Sequence, residues 1–289
     1  LVLLDFSAAF PSLAREFIFK ALAAAHVPEN IIRAIRELYK DNDHVFRFGN
    51  IMRYSFTALS GVRQGCPLSA TIFAIATDSI IRYIKAHLPD TFFRAYCDDY
   101  ALVLQNVWRD LPHLVPLFER ISAASALKLN VDKCNILPMW NFSRDDCKRL
   151  LIESCPAFGD MNVLRHAMYL GFVVGIDARL VAWEKPLAKF TSRVCLLRNI
   201  KASLAGLIFL YNTVALSVLS HTAQLCEPTE AVIKTVSSNT LRIIRAPAYW
   251  VPYSLLTRIS LFLPFRAQVY DFSTWCVAVR LRVIFKSYR

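Results

Sequence analysis

The sequence predicts an α+β protein: short strands interleaved with helices over residues 1–178, then an all-helical stretch over residues 179–289. Three observations carry that reading. Apolar runs too short for helices recur through the first part and bracket tight turns. Longer segments between them place apolar residues three and four apart. Beyond about residue 183 only helical periodicity remains, so the break over 176–183 is the expected domain boundary.

Residues 1–6 form an apolar run broken only by Asp5 and short enough for a buried strand. Ser12 follows Pro11 as a candidate N-cap, ahead of Leu13, Phe17, Ala21 and Ala24 at helical spacing. Pro28 opens a second helix whose expected buried stripe is Ile31, Ile35 and Leu38, with Tyr39 beside it. Gly49-Asn50 separates the runs 45–48 and 51–56, which predicts a hairpin with a tight turn.

A glycine-containing loop over 60–69 comes next, and Pro67 fixes the entry to a helix running to about His87. The arms 92–96 and 100–104 flank Asp98-Asp99, which places two acids at a hairpin tip. A helix over 111–126 leads through the loop 128–133 into a strand over 134–137. Residues 139–166 have mixed polarity and no clear period, and 169–174 read as one more strand.

Composition narrows the function. With 34 basic and 22 acidic residues the net charge is +12, which favours a polyanionic partner. The charge is dispersed, so no disordered basic tail is expected. The eight cysteines stand singly, without C-x-x-C or neighbouring histidines, which argues against zinc and for buried free thiols. Residues 202–226 carry no Asp, Glu, Lys or Arg and are long enough to cross a bilayer. Ser203, Asn212, Thr213, Ser217, Ser220, His221 and Gln224 interrupt that run, so a buried helix and no membrane is the expectation.

Taken singly, each acid has a bland explanation: Asp5 caps a turn and Asp98-Asp99 is a solvated hairpin tip. Adjacent antiparallel strands would bring Asp5 and Asp98 together, and alternation makes Asp98 and Asp99 inequivalent. Between them stands Gly61-Val62-Arg63-Gln64-Gly65-Cys66-Pro67-Leu68-Ser69. That order of aspartate, RQG-x-P-LS loop and Tyr96-Cys97-Asp98-Asp99 turn resembles motifs A, B and C of a reverse transcriptase, closest to the non-LTR (LINE-type) retrotransposon branch. The Leu127–Cys134 stretch resembles motif D, and Tyr169-Leu170-Gly171 resembles motif E.

The resemblance implies a right-hand polymerase palm over 1–178 and a helical thumb with C-terminal extension over 179–289. It implies RNA-directed DNA polymerisation with an RNA template, a DNA primer and dNTPs. Two Mg2+ ions, or Mn2+, would be held by Asp5 and Asp98 with Asp99 as an auxiliary carboxylate; hard magnesium prefers such oxygen ligands. Phe10, five residues after Asp5, falls where the family's steric gate excludes a ribose 2′ hydroxyl; the plainer role is core packing. The family usually has Asp after this Phe and here Pro11 stands, so altered turn geometry is expected.

Arg63, Gln64 and Gly65 would meet nucleotide, sugar and template. Lys133 falls at the proposed proton donor to pyrophosphate, or is a solvated loop lysine. Tyr169, Leu170 and Gly171 would form the primer grip, or a plain buried strand. Arg193, Arg198, Lys201, Lys234, Arg242, Arg245 and Arg258, set among aromatics, could track a duplex backbone.

On this resemblance the sequence starts at motif A. The fingers that precede it in the family, and part of the cover for the apolar surface, are expected to be missing. The fragment alone is then expected to be poorly soluble and inactive. A fused endonuclease outside the fragment, and an intracellular life in nucleus and cytoplasm, also follow from the resemblance. A catalytically silent, nucleic-acid-binding relative is the alternative; loss of one acid would have favoured it, and Asp5, Asp98 and Asp99 are all present.

Overall fold

The computed structural model describes residues 1–243, 251–262 and 268–287. They fall into two compact units, 1–167 and 168–289.

The first unit is built on a five-stranded sheet in the order β4-β5-β1-β6-β7. β1 (Val2–Leu4) leads into the short helix α1 (Ala9–Ser12), then α2 (Arg15–Ala24) and α3 (Glu29–Tyr39). The hairpin β2 (Asp43–Phe48) and β3 (Ile51–Thr57) stands apart as its own two-stranded sheet. Helix α4 (Ser69–His87) precedes the hairpin β4 (Phe92–Tyr96) and β5 (Asp99–Val103). After α5 (Val107–Asp110) and α6 (Leu114–Ser125) the chain enters β6 (Asn135–Ile136), α7 (Arg144–Ser154) and β7 (Asn162–Val163).

β1 lies antiparallel to both β5 and β6, whereas β6 and β7 are parallel. A parallel pair needs a crossover, and α7 supplies it. The unassigned stretch 139–166 thus resolves into a helix and a strand that extend the sheet.

The core lies where α2, α4 and α6 cover the sheet. Ile72, Phe73, Ala76, Ile80 and Ile84 form one stripe of α4 at three- and four-residue spacing, all buried. They pack with Leu13, Ile18 and Leu22 around α2, and with Leu114, Leu117 and Ile121 of α6.

Two helix expectations change. Ser12 does not cap α2: its hydroxyl donates to Ala8 O at 2.8 Å, and α2 begins at Arg15 after an extended Ala14. The buried stripe of α3 is Ile32, Ile35 and Tyr39, while Ile31 and Leu38 are exposed. Apolar residues occupy both flanks of that helix, so periodicity alone could not choose between two stripes one residue apart.

The second unit contains β8 (His166–Tyr169, which begins at the junction) and β9 (Phe172–Gly175), then helices α8 (Ala178–Val181) and α9 (Glu184–Arg198). The expected single strand over 169–174 is instead this hairpin, turned by Leu170 and Gly171 with φ of 49° and 82°. Its Val173 packs on the helical core and Phe172 stacks on His221 at 4.0 Å, which is why these residues group with the helices.

Leu204–Ala223 is one long apolar helical run: α10 (Leu204–Leu210), a π-helical turn Tyr211–Ala215, a 3₁₀ segment Leu216–Leu219 and α11 (Ser220–Ala223). By length and composition it could cross a membrane. Here Leu207, Ile208, Tyr211, Ala215, Leu216 and Leu219 fill the helical core, and Phe209 stays exposed. The helices α12 (Glu230–Ile243), α13 (Tyr253–Leu256) and α14 (Phe272–Ser287) complete the unit as described. Of the free cysteines, Cys134, Cys147, Cys155 and Cys276 are buried, whereas Cys97 and Cys195 are exposed.

Candidate active site

The register of β1 and β5 assembles the acids. Leu4 stands opposite Tyr100, on the face that carries the core. Side chains alternate along strands, so the next residues, Asp5 and Asp99, turn to the opposite face from neighbouring strands. Tyr96 and Asp99 close the β4–β5 hairpin, leaving Cys97 and Asp98 as its two-residue loop. Cys97 takes φ of 53°, the left-handed conformation such loops require of a central residue.

Tyr100 anchors the hairpin from beneath. Its ring meets Phe6 at 4.9 Å and Phe93 at 5.3 Å, both edge to face, in a fully buried position.

Asp5 is held by its own backbone. Its N–H donates to Cys134 Sγ at 3.4 Å, and its carbonyl accepts from Asn130 N at 2.8 Å. Burial, opposed by that hydrogen bond and reinforced by the Asp5 charge, pushes the Cys134 thiol up to about 11, so it stays a neutral packing group. Cys134 carries no sequence signal for this role beyond its place in the 127–134 stretch.

The acids also share a field. Burial, then Asp98, then Asp5, raises the carboxyl of Asp99 above its ordinary range. Burial followed by Asp98 and Asp99 raises the Cys97 thiol, and burial followed by Asp98 raises the Tyr100 phenol. Mutual repulsion among oxygen ligands is what a hard divalent cation relieves, so the donor set suits magnesium. Among the described residues no three His, Cys, Asp or Glu side chains converge as a cage. Magnesium does not need one, since it takes one or two carboxylates and completes its shell from water and phosphate.

Phe10 lies half-buried in α1, stacked on Phe73 of α4 at 4.2 Å with 10° between the rings. The stack fixes its orientation and leaves part of the ring free. Pro11 sits inside α1, and the 60–69 loop is sewn to this turn. Ser60 Oγ donates to Pro11 O at 2.9 Å, Gly61 N to Leu13 O at 2.8 Å and Val62 N to Phe10 O at 2.9 Å. A Cβ on Gly61 would lie 2.4 Å from the Pro11 backbone, so this glycine is required by the proline turn. Gly65, with φ of 85°, instead faces open space. Arg63, Gln64 and Gly65 are exposed, with the Arg63 guanidinium 5.9 Å from the centre of the Tyr39 ring.

Lys133 ends a 3₁₀ turn, Val131–Lys133, with its side chain exposed. Its neighbours on either side of that turn, Asn130 and Cys134, are the two residues bonded to the backbone of Asp5, so the turn is pinned beside β1. The Tyr169-Leu170-Gly171 turn belongs to the second unit. There a Cβ on Gly171 would lie 2.8 Å from His221 Nε2, so a close side chain already accounts for the glycine.

In the helical unit Arg193 donates to Val214 O and Arg242 to Asn239 Oδ1 at 3.5 Å. Lys201, Lys234 and Arg258 are exposed, and Arg245 lies outside the described residues.

Comparison with known proteins returns the same family. A family model described as reverse transcriptase (RNA-dependent DNA polymerase) matches residues 1–174. The retrovirus-related Pol polyprotein from type-2 retrotransposable element R2DM of Drosophila melanogaster is 26% identical over 157 residues, 52% of this chain and 15% of that protein. The transposon TX1 149 kDa protein of Xenopus laevis is 25% identical over 139 residues, 45% of this chain and 11% of that protein. A solved telomerase from Candida albicans aligns with 90% of this chain and 46% of its own, at 13% identity and a TM-score of 0.41. The matched stretches are therefore a small fraction of these two proteins, 15% and 11% of their lengths.

Proposed function

We propose that this chain, which belongs to the reverse transcriptase family, is the polymerising part of a non-LTR retrotransposon protein that adds deoxynucleotides to a primer 3′ hydroxyl on an RNA template. The observation that carries the reading is the convergence of Asp5 and Asp99 at the ends of paired strands, with Asp98 in the adjoining loop and one field over all three.

In this reading Asp5 and Asp98 bind the metal and Asp99 assists. Bound magnesium, or manganese in its place, would supply positive charge to the attacking hydroxyl and the leaving pyrophosphate. Phe10, braced by Phe73, occupies the space a ribose 2′ hydroxyl would need, and a hydroxyl forced there loses its hydration. Arg63 offers a planar cation to phosphate or base, Gln64 pairs with sugar or template, and open Gly65 lets the backbone come close. Lys133 gives a proton to pyrophosphate, and Tyr169, Leu170 and Gly171 contact the primer end. Residues 1–178 serve as palm and 179–289 as thumb and extension, with an endonuclease carried elsewhere in the polypeptide.

Primer extension tests this. The full-length polypeptide should extend a primer on RNA with magnesium or manganese and not in chelator. Asp98→Asn should slow extension about 10³-fold, since metal-borne charge stabilisation is worth several kcal/mol. Template affinity should hardly change. Equal rates in wild type, Asp98→Asn and Asp5→Asn would sink the assignment.

A further inference from the structure

Arg15 is used by none of the roles above, yet it is the most heavily bonded cation near the 60–69 loop. It opens α2, half-buried. Its Nη1 donates to Tyr39 O at 2.8 Å, and its Nη2 donates to Ala58 O at 2.6 Å and reaches Ser60 O at 3.5 Å. Those carbonyls come from the end of α3 and from the chain just before Gly61. The guanidinium also lies 5.3 Å from the centre of the Tyr39 ring, whose other cationic neighbour, at 5.9 Å, is Arg63.

We infer that Arg15 is a positioning residue that fixes the approach to the 60–69 loop and, through the shared Tyr39 ring, the place of Arg63. The loop is held from two sides. The Phe10–Leu13 turn takes the side chain of Ser60 and the amides of Gly61 and Val62. Arg15 takes the carbonyls of Ala58 and Ser60.

A planar guanidinium carries its donors on separate nitrogens in a fixed fork, so it meets carbonyls from separate segments without drawing them to one point; an ammonium gathers its donors on one atom at the end of a flexible stem. Arg15 keeps its cation in this setting against burial, which lowers its pKa foremost, and against Arg63, while Tyr39 works in its favour. Its Nε is buried without a partner, so the residue is placed for its two terminal nitrogens rather than for complete pairing. Released from Arg15, the carbonyls of Ala58 and Ser60 lose that donor, and the Tyr39 ring that Arg63 neighbours loses the guanidinium bonded to its own backbone.

The inference rests on reading 60–69 as the nucleotide-facing loop, so its test does not depend on polymerisation. Hydrogen–deuterium exchange of the whole chain is measured for wild type and Arg15→Lys. Exchange at the Gly61 and Val62 amides should rise at least tenfold, with β1 and α4 unchanged. Arg15→Gln, which keeps one donor group, is measured alongside and read the same way should the lysine variant fail to fold.

In a full-length enzyme shown to be active, Arg15→Lys should raise KM for dNTP about tenfold with kcat within about twofold. Unchanged exchange at Gly61 and Val62 overturns the inference. Exchange rising equally in β1, α2 and α4 also overturns it, because Arg15 would then be a general folding residue. An inactive wild type would fail the polymerase reading while leaving the exchange result to stand.

Discussion

Two hairpins in the first unit begin from the same local recipe and end in opposite environments. β4–β5 turns at Cys97-Asp98 and β2–β3 at Gly49-Asn50, each between apolar arms. In β4–β5 one face is committed: Phe93, Tyr100 and Leu102 are buried, and β1 pairs along the outer edge of β5. In β2–β3 no residue is buried, the strands pair only with each other, and Phe48 is 87% exposed. A tight turn between apolar runs is enough to make a hairpin. A third strand and a helical cover are what convert it into a rigid platform, and the acids stand on the platform. An isolated two-stranded ribbon is marginal in water, so the β2–β3 arm is the less constrained of the two.

Stability measurements would break the comparison most directly. Tyr100→Ala removes a fully buried ring and its edge-to-face partners Phe6 and Phe93, and should cost about 3–5 kcal/mol. Phe48→Ala should stay within about 0.5 kcal/mol, as surface changes do. Urea unfolding with an unchanged slope would report both. Comparable losses would mean that the β2–β3 arm is covered in solution and that the two environments are alike.

Phe10 is intermediate between these extremes, half-buried against Phe73 yet partly free, and it separates packing from selection. Phe10→Ala should lower the preference for dNTP over rNTP about 10- to 100-fold, the range a steric pocket can command. Its effect on stability should be well below that of Tyr100→Ala. An unchanged preference together with a stability loss as large as that of Tyr100→Ala would make Phe10 a core residue and nothing more.

The same contrast explains what was legible in the sequence. The antiparallel pairing of the Asp5 strand with the Asp98-Asp99 hairpin could be read because both arms are short apolar runs and the turn is tight. The Gly49-Asn50 hairpin was equally plain, but its exposure was not, because a run that is apolar on both faces looks buried. The turn at Leu170-Gly171 was missed since Leu gives no turn signal and takes φ of 49° only where its surroundings hold it there. Arg15 was missed for another reason. An arginine at the start of an amphipathic helix reads as solvated, and its three carbonyl partners come from residues 39, 58 and 60, which no local pattern links to residue 15.

The smallest effect, and the finest test of the acid platform, is electrostatic. Burial, Asp98 and Asp5 together raise the pKa of Asp99 above its ordinary 3.8. A group that holds its proton more tightly when folded supports the fold while protonated. That support is lost as pH climbs from the unfolded value through the folded one. Asp99→Asn removes the titration, so in chelator the variant should gain on wild type in thermal stability as pH rises from about 3.8, then level off. The gain should be small, because Asp99 is largely exposed and water screens its neighbours. Magnesium should shrink or reverse it, since a cation turns the ionised Asp99 from a repelled charge into a ligand. A difference in melting temperature that is flat in both pH and magnesium would mean that Asp98 and Asp5 do not act on Asp99, and that the ends of β1 and β5 do not form one site.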